Sequence, residues 1–113
     1  MMSIRKWIGW DIETAKITPP DCRNIKDHRP LGISCAAAHF SDSGGTMLRG
    51  RDSVAWFHGM TEDVPLAGPM TRAECMIMLG RLDAYVDEGY TIVTWNGNFD
   101  WDILAEETGE WDP

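Results

Sequence analysis

Asp11 and Glu13 stand two residues apart in the segment Trp10-Asp11-Ile12-Glu13-Thr14. In an extended strand that spacing sends both carboxylates out of the same face, about 6.6 Å apart. Trp10 and Ile12 take the opposite face and are strongly apolar, which marks a central strand rather than a solvated edge. Two carboxylates beside a core repel each other and resist desolvation, so a cation should accompany them. A nearby base such as Lys16 would serve, and so would one or two Mg²⁺ ions, which favour hard oxygen ligands. A third carboxylate, Asp100, falls near the start of a helix that follows a short strand. If that strand runs parallel beside the first, its carboxyl end and Glu13 share one edge of the sheet, where ligands of open α/β sheets gather. Three converging carboxylates are what two-metal phosphoryl chemistry requires. Each residue also has an ordinary structural reading. Asp100 can stabilise a helix N-terminus with Asn98 as the cap, Asn96-Gly97 is a common turn, and Phe99 is a natural core residue.

The elements that must position these groups follow from local pattern. The alternation of Ile8, Trp10 and Ile12 against Trp7, Gly9, Asp11 and Glu13 predicts a strand from about Arg5 to Glu13. A charged loop with Pro19-Pro20 leads to an apolar run, Leu31 to Phe40, whose small residues on both faces suit a strand covered on both sides. Its three consecutive alanines keep a helix possible. Asp42-Ser43-Gly44-Gly45 reads as a turn into a third strand near Thr46 to Arg49, closing an antiparallel hairpin. Val54 to Pro69 reads as irregular.

Thr71-x-x-Glu74 is a capping box, and Cys75, Leu79, Leu82 and Val86 continue at helical spacing toward Gly89, which sits where a C-terminal cap belongs. Tyr90 to Trp95 reads as a short buried strand, Asn96-Gly97-Asn98 as a turn, and Phe99 to Thr108 as a second helix ended by Gly109. Three antiparallel strands, a helix, a parallel strand and a helix make an α/β mixed sheet with helices on its faces.

Composition bounds the classes open to such a chain. With 113 residues, 43% hydrophobic and 25% charged, it fits one soluble domain and excludes a disordered chain, a collagen-like repeat or a disulfide-stapled miniprotein. No apolar run is long enough to span a bilayer, and Asp11 and Glu13 break any leader begun by Arg5 and Lys6. A cytoplasmic protein without membrane partners is the expectation. Cys22, Cys35 and Cys75 form no C-x-x-C pair, so they read as reduced hydrophobes, and His28, His39 and His58 lack ligand spacing.

The net charge of −8 argues against gripping nucleic acid by bulk electrostatics. It is unevenly spread: residues 1–51 carry eight bases against five acids, and residues 52–113 carry two bases against thirteen acids. That asymmetry suits an enzyme whose metals meet the phosphates. It suits equally a protein that never meets nucleic acid.

Trp10-Asp11-Ile12-Glu13-Thr14 resembles the first motif of the DEDD-type 3′–5′ exonucleases, a strand ending in Asp-Ile-Glu-Thr. Asn96-Gly97-Asn98-Phe99-Asp100, with Leu104 a helical turn on, resembles their second motif, an Asn followed by Phe-Asp, spaced here as Asn-x-x-Phe-Asp. The resemblance spans residues 5 to 109 and is nearest to the exonuclease domain of family-B DNA polymerases. It implies a ribonuclease H-like fold in which Asp11, Glu13 and Asp100 bind Mg²⁺ or Mn²⁺, while Thr14, Asn96 and Phe99 lie beside the 3′-terminal nucleotide. It further implies hydrolysis of phosphodiesters at nucleic-acid 3′ ends, single-stranded ends fitting such a site best.

The pattern departs from that family after Asp100. Neither a Tyr-x-x-x-Asp nor a His followed five residues later by Asp occurs there, and Asp112 comes too early to stand for the missing carboxylate. The last strand and helix of the fold are lacking too, which would leave an apolar face uncovered. Residues 1–113 are thus expected to be a single partial exonuclease-like domain, weak or inactive alone. A missing C-terminal segment or another chain would complete it. The competing expectation is a non-catalytic ribonuclease H-like module that binds nucleic acid or protein.

Overall fold

The structure, a computed structural model, describes residues 6–16, 21, 30–41, 53–95 and 97–109. Strand β1 (Lys6–Thr14) is built on the expected alternation, with Ile8, Trp10 and Ile12 buried and Trp7, Asp11 and Glu13 outward. Strand β2 (Ile33–Phe40) lies antiparallel to it, setting Trp10 opposite Ala38, Asp11 opposite Ala37 and Glu13 opposite Cys35. Its three alanines are extended rather than helical. Pairing on both edges, with β1 on one side and β3 (Val54–Phe57) on the other, overrides their helical propensity.

Among the described residues the strand that follows β2 is β3, inside the stretch expected to be irregular. The strand and turn expected at 42–49 lie outside the described residues. The signal for β3 was present in Val-Ala-Trp-Phe: Trp56 alternates inward and is buried, while Ala55 faces out.

Helix α1 (Arg72–Asp87) begins at the expected capping box. The Thr71 hydroxyl accepts from the Glu74 N–H at 3.1 Å, and the Glu74 carboxylate accepts from the Thr71 N–H at 2.7 Å. The crossover delivers β4 (Tyr90–Val93) parallel to β1, from Lys6 opposite Tyr90 to Gly9 opposite Val93. Helix α2 (Phe99–Thr108) follows. Among the described residues the result is a four-stranded mixed sheet, β3-β2-β1-β4, with two α-helices.

Both helices pack on the Ile8, Trp10 and Ile12 face, and against each other, rather than one on each side. There Cys75, Met78, Leu82 and Tyr85 of α1 and Ile103 and Leu104 of α2 close the core. Burial of each large apolar side chain contributes about 1.5 to 3 kcal/mol. Phe40 meets the edges of Tyr85 and Tyr90 at centroid distances of 5.0 and 5.3 Å, knitting α1, β2 and β4.

The buried stripe of α1 is rotated from the expected one. Met78 and Tyr85 point inward, and Val86 is 51% exposed. Sequence spacing allowed either stripe, and the aromatic contacts of Tyr85 selected this one. Arg72 ties the helices together, donating from Nη2 to the Thr108 carbonyl at 2.9 Å at the C-terminus of α2.

Among the described residues the opposite face of the sheet is open: Asp11, Glu13, Cys35 and His39 are exposed on it. Strand β2 is covered by helices on one face among the described residues, where a cover on both was expected. Among the described residues no helix is long and apolar enough to cross a membrane.

Candidate functional site

β1 outruns its parallel neighbour. Pairing with β4 stops at Gly9 opposite Val93, so among the described residues no strand lies on the β4 side of β1 from Trp10 onward. The chain turns back after β4, and the first turn of α2 occupies that place. Trp101 holds it there, its ring 4.7 Å from that of Trp10. This docking carries Asp100 to the side of β1, where it is 2% exposed and near enough to Asp11 and Ile12 for both to act on its carboxyl.

The electrostatics at Asp100 are those of a buried carboxyl crowded by other carboxylates. Burial, then the charge of Asp11 and a hydrogen bond with it, push the Asp100 carboxyl up to about 6, and Glu13 adds to the rise. The Ile12 N–H opposes this. One oxygen of Asp100, Oδ2, is buried with no hydrogen-bond partner. An orphaned carboxylate oxygen facing other carboxylates is costly unless a proton or a cation joins it. Asp11 itself is oriented by its own strand, Oδ1 accepting from the Ile12 N–H at 3.0 Å.

Two grooves on the open face meet at Asp11. One, of about 240 Å³, runs toward β3 between Glu13, Cys35, Ala37 and Phe57. The other, of about 380 Å³, runs toward the β4 edge between Trp7, Gly9, His39, Thr94 and Trp95.

The sequence-derived site residues divide accordingly. Asp11 and Asp100 are brought together, and Glu13 acts on Asp100 through its charge from the same face of β1. Thr14 sits half-buried beyond a register shift at Glu13/Thr14, and Phe99 packs partly buried against the core. Asn96 lies outside the described residues. Asn98 precedes α2, but its side chain makes no capping bond; its carbonyl accepts from the Asp102 N–H at 2.8 Å.

Sequence reading missed the β4-side groove. It took Trp95 as the end of a buried strand, but β4 ends at Val93 and Trp95 is 90% exposed. It also passed over His39. The outward phase of Trp7, shared with Asp11, was the available signal.

Asp11, Glu13 and Asp100 offer the hard oxygen donors that Mg²⁺ or Mn²⁺ prefer, and the orphaned Oδ2 of Asp100 fits such a cation in chemistry and charge. As the side chains stand, no three His, Cys, Asp or Glu groups among the described residues gather into a metal-holding cluster. A second titratable cluster is structural. Burial pushes the Glu74 carboxyl upward, but hydrogen bonds from the Thr71 and Gly59 N–H groups and His58 prevail and hold it at about 2.

No family model, curated protein or solved structure matches the chain.

Proposed function

We propose that the chain carries the metal-binding part of a 3′–5′ exonuclease, a ribonuclease H-like domain that hydrolyses phosphodiesters at nucleic-acid 3′ ends in the cytoplasm. The observation that carries the reading is Asp100: buried, orphaned at Oδ2, and drawn beside Asp11 by the parallel crossover and the docking of α2. A carboxylate held so is expensive for a fold with no use for it.

In this reading Asp11, Glu13 and Asp100 would hold Mg²⁺ or Mn²⁺, which would supply Lewis-acid chemistry to the phosphodiester when bound. The chain's own contribution is placement. β1 fixes the direction of Asp11 and Glu13, Ile12 orients Asp11 and meets Asp100, and the exposed sheet face admits a strand end. The family resemblance asks for a fourth carboxylate and a water-orienting Tyr or His, so the chain is expected to act weakly alone.

The test is incubation of a 3′-labelled single-stranded oligonucleotide with the chain and Mg²⁺ or Mn²⁺. Release of nucleoside monophosphate that Asp11→Ala abolishes supports the reading. Degradation that Asp11→Ala leaves untouched refutes it.

A second reading, a non-catalytic module of the same fold, draws on the carboxylates not being gathered into a metal-holding cluster. It predicts no thermal stabilisation by Mg²⁺ or Mn²⁺, whereas a working site requires it.

A further inference from the structure

We propose that the groove between Trp7 and Trp95 is a stacking subsite for an unpaired nucleobase of the strand whose phosphodiester lies at Asp11. This rests on the nuclease reading above and adds to it the surface that selects single strands. The groove opens directly onto Asp11, and its volume of about 380 Å³ lies within the range of small-ligand sites.

Its walls are flat rings rather than aliphatic side chains. Trp95 is 90% and Trp7 47% exposed, His39 is exposed, and Val93 is the one aliphatic side chain lining it. Gly9 also lines it, next to the Trp7 ring: an added Cβ there would stand 3.7 Å from that ring, in ordinary van der Waals contact.

The backbone that carries the tryptophans is tied down, and the His39 ring is held. Trp7 exchanges hydrogen bonds with Ser41, its N–H donating to Oγ at 2.9 Å and its carbonyl accepting from the Ser41 N–H at 2.8 Å. His39 Nδ1 pairs with the Ser53 hydroxyl at 2.7 Å. The Thr94 hydroxyl donates to the Gly97 carbonyl, closing the turn that presents Trp95. Exposed tryptophans on fixed backbone lose little freedom when a planar ligand stacks on them, and every base has a π-face to offer. Asp11 at the mouth repels a bare phosphate, so the groove suits the neutral base, and the phosphate would meet the carboxylates only through a divalent cation.

The experiment measures binding of a short fluorescein-labelled single-stranded oligonucleotide in Ca²⁺, with hydrolysis and metal-dependent thermal stabilisation followed in parallel. Trp95→Ala and Trp7→Ala should each weaken binding by between about fivefold and a hundredfold, the range for loss of one base–aromatic stack. Trp95→Phe should keep most of the affinity, and metal stabilisation should persist in all three. Unchanged affinity in both alanine variants, with Asp11→Ala still abolishing hydrolysis, overturns the subsite and leaves the nuclease reading standing. Displacement of the oligonucleotide by a lysine-rich peptide at comparable affinity would assign the rings to cation binding and overturn it too. No oligonucleotide binding by the wild-type chain refutes both.

Discussion

Asp100→Asn should stabilise the metal-free protein at neutral pH while removing its response to metal. The carboxyl is pushed up to about 6 from an ordinary value of 3.8 by burial, Asp11 and Glu13. A folded-state pKa above the unfolded one means that the native protein binds the extra proton. The associated stability is full below about pH 3.8 and is lost as pH rises through about 6. Two pKa units correspond to roughly 3 kcal/mol, so ionised Asp100 costs the metal-free fold on the order of that amount above pH 6.

Asparagine keeps the shape and never ionises. Allowing about 1 kcal/mol for a poorer hydrogen bond leaves a gain of about 2 kcal/mol at pH 8. For a chain of this size that is a rise in Tm of roughly 8 °C. At pH 4 the two proteins should melt nearly together. Thermal unfolding followed by circular dichroism in EDTA at pH 4, 6 and 8 reads this directly. Saturating Mg²⁺ or Mn²⁺ should then reverse the order, because at about 100 times its Kd a ligand adds roughly 2.7 kcal/mol to the protein that binds it. Lower stability of Asp100→Asn at pH 8 in EDTA, or equal stabilisation of both proteins by metal, would refute the reasoning.

Three further outcomes test the frame around the site. Glu74→Gln removes a carboxylate that accepts from two backbone N–H groups and faces His58, and should cost on the order of 2 kcal/mol in urea unfolding at pH 7. Because the Glu74 carboxyl is lowered to about 2, its contribution is present above pH 4.5 and fades as pH falls through about 2, so the difference between the two proteins should shrink in acid. Gly59 has φ 90°, and a Cβ there would lie 2.3 Å from the Val64 carbonyl oxygen; Gly59→Ala should lower Tm sharply, and a Tm within a degree or two of wild type would contradict the geometry. Burial first, with Glu107 and Glu74 behind it, pushes the Cys75 thiol up to about 11, whereas Cys35 is exposed. Brief alkylation at pH 8 with peptide mapping should therefore modify Cys35 and reach Cys75 only after unfolding.

The one-sided packing has a consequence for the site. With α1 and α2 on the same face, the core is made by the inward phase of β1, and its outward phase is left to the grooves that meet at Asp11. Trp10 and Asp11 thus divide the labour of one dipeptide. The indole anchors α2 through Trp101, and the carboxylate receives what α2 brings.

Local chemistry in the sequence was enough for β1, the capping box of α1, the extent of α2 and the parallel crossover. Period-two alternation, Thr71 with Glu74, and Gly109 after Thr108 each act over a few residues. The same alternation put Asp11 and Glu13 on one face. Three matters depended on contacts between distant segments. Which stripe of α1 is buried was decided by Tyr85 meeting Phe40. That Val54–Phe57 pairs as a strand was decided by β2 offering a free edge. That Trp95 stands in solvent, and Asp100 beside Asp11, was decided by how far β4 runs along β1 before the chain turns. A sequence states which groups can face one way. Where strand pairing stops, and therefore which groups meet, is set by the packing of α2 against Trp10.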